Sequence, residues 1–110
     1  MKKAVAKKKV ELKQWKGYYE VGNEQFPMEM MLSFTDNKIE GLGEDGIGKF
    51  VITGESEVVG AQDRVHFIKK YEDKHSVDYK GTEKMGVITG DWSTDEMHDR
   101  FKLNRIYPKP

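Results

Sequence analysis

Apolar and polar residues alternate with a period of two along most of this chain. On the apolar phase, glycine recurs two positions after a bulky residue. Val-Ile-Thr-Gly occurs twice, at Val51–Gly54 and Val87–Gly90, and Ile39 with Gly41 and Tyr79 with Gly81 repeat the spacing. A period of two is the mark of a strand with one buried face. Glycine inside a strand costs about 0.5–1 kcal/mol relative to alanine. Its repetition at corresponding places therefore implies a geometric use. Either a strand coils sharply there, or a large neighbour such as Trp92 packs over bare backbone.

Turn-forming residues cut the alternation into eight predicted strands. They cover Trp15–Val21, Pro27–Phe34, Lys38–Gly43, Lys49–Glu55, Arg64–Tyr71, His75–Gly81, Gly86–Trp92 and Arg100–Ile106. Met28, Met30, Leu32 and Phe34 share one face of the second, and Met31 is the odd residue on the other. Ser93 to Asp99 reads as a polar loop or one helical turn. Short connections between short strands point to an all-β fold, an eight-stranded antiparallel up-and-down barrel. Closure removes exposed sheet edges. Edges left open at the first and last strands would invite dimerisation, so a monomer or a weak dimer is expected.

The 110 residues suit one domain. Residues 1–13 form a basic arm with six lysines and one glutamate, 14–107 the barrel, and 108–110 a tail. The remaining 97 residues are net −5. A basic arm can meet nucleic acid or an anionic membrane, but this one has no arginine and no aromatic residue. A solubilising terminus is the simpler reading. No cysteine is present, which removes disulfides, thiolate metal sites and a cysteine nucleophile. That fits a cytoplasmic protein. No apolar run approaches a membrane span, and no apolar stretch follows the N-terminal lysines as a secretory signal requires.

The eight-strand pattern, the aromatic first strand Trp15-Lys16-Gly17-Tyr18 and Arg105 on the last strand resemble the calycin group of lipocalin and avidin-like barrels. In lipocalins a first-strand tryptophan packs against a basic residue near the chain end. Here the order is W-x-G, where that group has G-x-W. The chain also resembles small domains without an established activity that carry G-x-G-x-D-x-x-G-x-F-x-I-x-G. It matches at Gly41, Gly43, Asp45, Gly48, Phe50, Ile52 and Gly54, and continues from Val65 through Lys69, Tyr71, His75, Tyr79 and Gly81 to Trp92. The resemblance implies the barrel and no particular chemistry.

Catalytic motifs are lacking. Gly41 to Gly46 fits G-x-G-x-x-G, but a strand follows where a dinucleotide site needs a helix, and Glu44 and Asp45 would repel phosphate. A sharp connection between strands three and four is expected instead. Asp36, Glu44 and Asp45 lack EF-hand spacing and read as a solvated acidic loop. His66, His75 and His98 are not spaced as a metal pair, and His98-Asp99 reads as a loop neighbour pair. No cofactor or metal is expected.

Lys69 and Arg105 share the phase of apolar neighbours, so two cations approach the interior. Buried charges need partners, and Asp78 or Asp91 would serve only by breaking phase. The alternative is that both cations snorkel at the rim. The expectation is a non-enzymatic binding module whose pocket is lined by Tyr19, Met30, Phe67, Lys69, Tyr79, Trp92 and Arg105. Its ligand would be a small apolar or anionic molecule. A protein-interaction module with a filled core is the second reading, and a small enzyme the third.

Overall fold

The computed structural model describes residues 11–72 and 75–107. Eight strands run β1 (Lys13–Val21), β2 (Glu24–Thr35), β3 (Lys38–Asp45), β4 (Lys49–Val59), β5 (Gln62–Tyr71), β6 (Ser76–Lys84), β7 (Val87–Ser93) and β8 (His98–Arg105). Each pairs antiparallel with the next, and β8 returns to β1 to close the barrel. The seam pairs Trp15 to Tyr19 with Arg105 to Phe101. Closure thus takes up both edges that an open sheet would have left for dimerisation. All eight predicted strands are present, most of them longer than the alternation alone marks. Most of the basic arm, the prolines Pro108 and Pro110, and Asp73-Lys74 of the β5–β6 turn lie outside the described residues.

Two-residue turns set the register. Asp36 and Asn37 have φ of 53° and 66°, and Met85 and Gly86 have 54° and 81°. Two successive positive φ values are the turn geometry whose twist matches a right-twisted hairpin. The segment 94–97 is an irregular loop, and β8 begins at His98. His98 and Asp99 are therefore strand residues, and the Asp99 carboxylate accepts from the Gly22 amide at 2.8 Å, tying the β1–β2 turn to β8.

The interior is filled by the predicted phase. Trp15, Met28, Met30, Leu32, Ile39, Phe50, Ile52, Val65, Phe67, Tyr71, Tyr79, Ile88, Trp92, Phe101 and Leu103 are all buried. Phe34 departs from its expected burial. It lies at the end of β2, 38 % exposed, with its ring against Trp15.

The repeated glycines also face inward, each set beside bulky core residues. Gly54 lies opposite Ile39 and Phe67, Gly41 opposite Leu32 and Ile52, and Gly81 opposite Val65 and Gly90. A side chain on Gly54 would meet the His66 carbonyl, one on Gly81 the Thr89 carbonyl, and one on Gly90 the Lys80 carbonyl. The neighbouring backbone occupies the volume a Cβ would need. Strands coil over one another at these points, which is the use that the bulky-x-Gly spacing predicts. Gly41 and Gly43 therefore belong to β3, and only Gly46 of the G-x-G-x-x-G stretch lies in the connection to β4.

Gly81→Ala forces carbon against backbone, so it should destabilise the barrel by about 1–3 kcal/mol or more. Gly46→Ala meets nothing within 4 Å and should change stability by less than about 0.5 kcal/mol. Urea unfolding of both variants checks the contrast. Equal effects would remove the steric account of the interior glycines.

Candidate functional site

The antiparallel order gathers the β1–β2, β3–β4, β5–β6 and β7–β8 connections at one end of the barrel. There the C-terminal ends of β1, β3, β5 and β7 bring Tyr19, Asp45, Lys69, Tyr71 and Trp92 together. Inward phase places Lys69 between Phe67 and Tyr71 on β5, and its ammonium enters the barrel.

Lys69 does not snorkel. Its side chain is 1 % exposed, and its Nζ donates to Asp45 Oδ2 at 2.8 Å. Asp45 is the last residue of β3, and its side chain is fully enclosed. The same Oδ2 accepts from Tyr71 Oη at 2.5 Å. Oδ1 accepts from the amides of Ile47 at 2.9 Å and Gly48 at 3.3 Å. Asp45 is thus no solvated loop acid. It closes the β3–β4 turn and neutralises the buried lysine. Of the two partners that the sequence suggested, Asp78 faces outward and pairs with His66 at 2.7 Å, and Asp91 is exposed.

Four rings surround the ammonium. Tyr19 lies 4.7 Å from Nζ, and Phe50, Tyr71 and Tyr79 each lie 5.0 Å away. Ring faces attract a cation, and here they stand where water would otherwise solvate it. Met28 Sδ lies 3.9 Å from Nζ and 3.8 Å from Tyr79 Oη. Phe67 stacks on Tyr79 at 5.1 Å, forming the layer beneath.

Titration follows from this enclosure. Burial pushes Lys69 below its ordinary 10.5, with Asp45 opposing that shift. Burial alone would raise Asp45, but its hydrogen bonds from Lys69 and Tyr71 outweigh burial and hold it below 3.8. Tyr71 is pushed up by burial and then by its bond to the Asp45 carboxylate. Tyr79 and Tyr19 are pushed up by burial and by the same negative charge.

Above this layer lies a cavity of about 260 Å³. Its wall is apolar and aromatic: Tyr19, Val21, Phe26, Tyr71, Val77, Tyr79 and Trp92, with Ile47, His75, Thr94 and Met97 from the connecting loops and Lys69 at its base. Trp92 is held by its Nε1–H, which donates to the Glu20 carbonyl at 2.8 Å, and Tyr19 meets it edge-on. A larger concavity of about 700 Å³ runs outside β4 to β7. It is lined by exposed Glu55, Arg64, His66 and Lys80, which water already solvates.

Of the seven residues that the sequence assigns to a pocket, Tyr19, Lys69, Tyr79 and Trp92 line this cavity. Phe67 supports it from below. Met30 is buried in the wall between Gly43 and Trp15. Arg105 lies at the opposite end, directly across the seam from Trp15, with its guanidinium over Tyr107 at 4.7 Å. The cations are therefore far apart in role. Sequence reading puts Tyr71 on the phase of Lys69 but leaves it out of the pocket, and it misses Asp45 and the loop residues Ile47 and Met97. Asp45 has the inward phase of Ile39 and Gly41, which was the available signal.

No protein-family model, curated protein or solved structure matches this chain. The glycine pattern thus finds no family support. The architecture itself, a closed eight-stranded antiparallel barrel, is consistent with the calycin type. Among the described residues no cluster of three or more potential metal ligands occurs, and no helix is long and apolar enough to cross a membrane.

Lys69→Met leaves a carboxylate buried without its cation and should cost about 3–5 kcal/mol. Combining it with Asp45→Asn should recover part of that loss in a urea-unfolding double-mutant cycle. Stability should also fall at both pH extremes. Asp45 is depressed, so its contribution is present above the ordinary carboxylate value and lost as pH drops through its lower folded value. Tyr19, Tyr71 and Tyr79 are raised, so their contribution is complete below about 10 and lost as pH climbs beyond it. A urea midpoint in Asp45→Asn that keeps the wild-type acid slope would refute the role given to Asp45.

Proposed function

We propose that this protein is a non-enzymatic binding module that takes one small apolar molecule into the loop-end mouth of the barrel. The observation that carries this reading is the apolar, aromatic-walled cavity set on a fully packed interior. Below Tyr71 and Tyr79 the barrel is filled, so the ligand sits in the mouth and not along the axis. About 260 Å³ is slightly below the usual range of ligand cavities, which starts at about 300 Å³. That suits a single ring or two fused rings.

The charge balance favours a neutral ligand over an anion. Lys69 offers no net positive charge, because Asp45 neutralises it at 2.8 Å. Arg105, the second cation expected to orient an anionic end, lies at the other end of the barrel. With no cysteine to oxidise, the protein suits a reducing cytoplasm. Closure of the sheet supports a monomer.

A specific observation favours a second reading, a partner-binding wall. Met31, Leu42 and Val51 stand side by side on the outer faces of β2, β3 and β4. Leu42 and Val51 are each 53 % exposed. Three side chains make a small patch, which is why the mouth is preferred.

Trp92 reports on the mouth, whereas Trp15 is at the far end. Titration with cyclohexylmethanol should shift Trp92 emission to the blue and saturate, and the response should vanish in Trp92→Phe. Cyclohexanecarboxylate should bind at least tenfold more weakly. Tighter binding of the carboxylate would reverse the charge argument. No saturable response to either compound would redirect attention to the Met31–Leu42–Val51 wall.

A further inference from the structure

The Lys69 ammonium has three N–H donors. Among the described residues it has one oxygen acceptor, Asp45 Oδ2 at 2.8 Å. Its other neighbours are the Met28 sulfur at 3.9 Å and four ring faces. A buried ammonium whose remaining protons face sulfur and π-clouds is under-satisfied, and such groups carry a free-energy penalty. An iminium nitrogen on the same side chain has one N–H. That matches the one acceptor available. Its remaining charge is spread over carbon and nitrogen, which suits ring faces better than oxygen acceptors.

We propose that Lys69 is a reversible covalent attachment point for an aldehyde carried on a small apolar group bound in the mouth, with Asp45 as the counter-ion of the resulting iminium. This rests on the reading of the mouth as an apolar binding site. Lys69 forms part of the cavity lining and is otherwise enclosed, its side chain 1 % exposed.

The step balances without a co-reactant. The ammonium lends a proton to Asp45 Oδ2, and the freed lone pair attacks the carbonyl carbon. The C–O π pair moves to oxygen, which takes the proton back from Asp45 and gives a carbinolamine. A second proton then passes from nitrogen to that hydroxyl, and the C–O bond breaks to release water. The nitrogen lone pair forms the C=N bond. One ammonium and one aldehyde become one iminium and one water. Both groups are neutral during the proton loan; before and after it the positive charge is on the Lys69 side chain and the negative charge on Asp45, so the buried pair carries no net charge at any stage. Burial, which pushes the lysine down in pKa, makes the first proton loan easier. Tyr71 Oη donates to the same Asp45 oxygen and holds the carboxylate in place before the exchange.

The test treats the full chain with cyclohexanecarboxaldehyde and cyanoborohydride at neutral pH, then maps the reduced adduct by peptide mass spectrometry. Lys69 is expected to be labelled at least tenfold faster than any other lysine, and an excess of cyclohexylmethanol should block that labelling alone. Lys69→Met should lose the dominant adduct. The wild-type map and the competition decide the matter even if that variant does not fold. Labelling spread over other lysines with Lys69 unmodified overturns the proposal. If the alcohol still shifts Trp92 emission in that case, the binding mouth stands and only the covalent step falls. If the alcohol does not bind either, both fall together.

Discussion

The barrel exists because neighbouring backbones are allowed to touch where side chains would normally hold them apart. Six glycines, at positions 17, 41, 43, 54, 81 and 90, face the interior with the next strand's carbonyl in the space of the missing Cβ. Each weakens its own strand by conformational freedom. Together they let a sheet of eight strands curl tightly enough for β8 to reach β1. Every other feature follows from that curvature. The large inward residues fill the interior because the glycines beside them leave room. A loop end narrow enough to enclose one lysine exists because the wall closes around it.

Within that wall the Asp45–Lys69 pair is an unusual element, since burying two charges costs several kcal/mol per ion before their attraction offsets it. The surroundings show how the cost is met. Asp45 receives two backbone amides, one phenol and one ammonium, so both carboxylate oxygens are used. Lys69 receives much less, one oxygen and the quadrupoles of four rings. The asymmetry makes the carboxylate the fixed point of the pair and leaves the amine the less fully satisfied member. The pairing also explains why the mouth, though it has a lysine at its base, presents an apolar face.

Much of this was legible in the sequence, and the reasons are physical. Strands with a strict period of two and clear turn residues, such as β4 and β7, announce themselves because one face must be buried and the other wet. The interior use of glycine was readable from the bulky-x-Gly spacing alone. Tyr19, Lys69, Tyr79 and Trp92 converge because phase fixes the face of a strand. Phase does not fix height along the barrel, which depends on register and shear. That is why Arg105, with the right phase, lies at the wrong end, and why Met30 stays inside the wall. Asp45 was hidden for another reason. Composition near a turn suggests solvation, while the phase of β3 carries its side chain inward.

The order of pairing has a kinetic meaning. Seven of the eight strand pairs join elements adjacent in the chain, and each can zip from its own turn with little loop-closure entropy. The β1–β8 seam alone joins the two ends of the domain, bringing Tyr19 to Phe101 across more than eighty residues. Contacts of such separation form late, because the entropy of closing the loop is lost before they give anything back. The local hairpin pairings thus carry a smaller closure cost than the seam. The wall of the loop-end cavity is complete only with that seam closed, since Tyr19 comes from β1 and Trp92 from β7, on either side of β8.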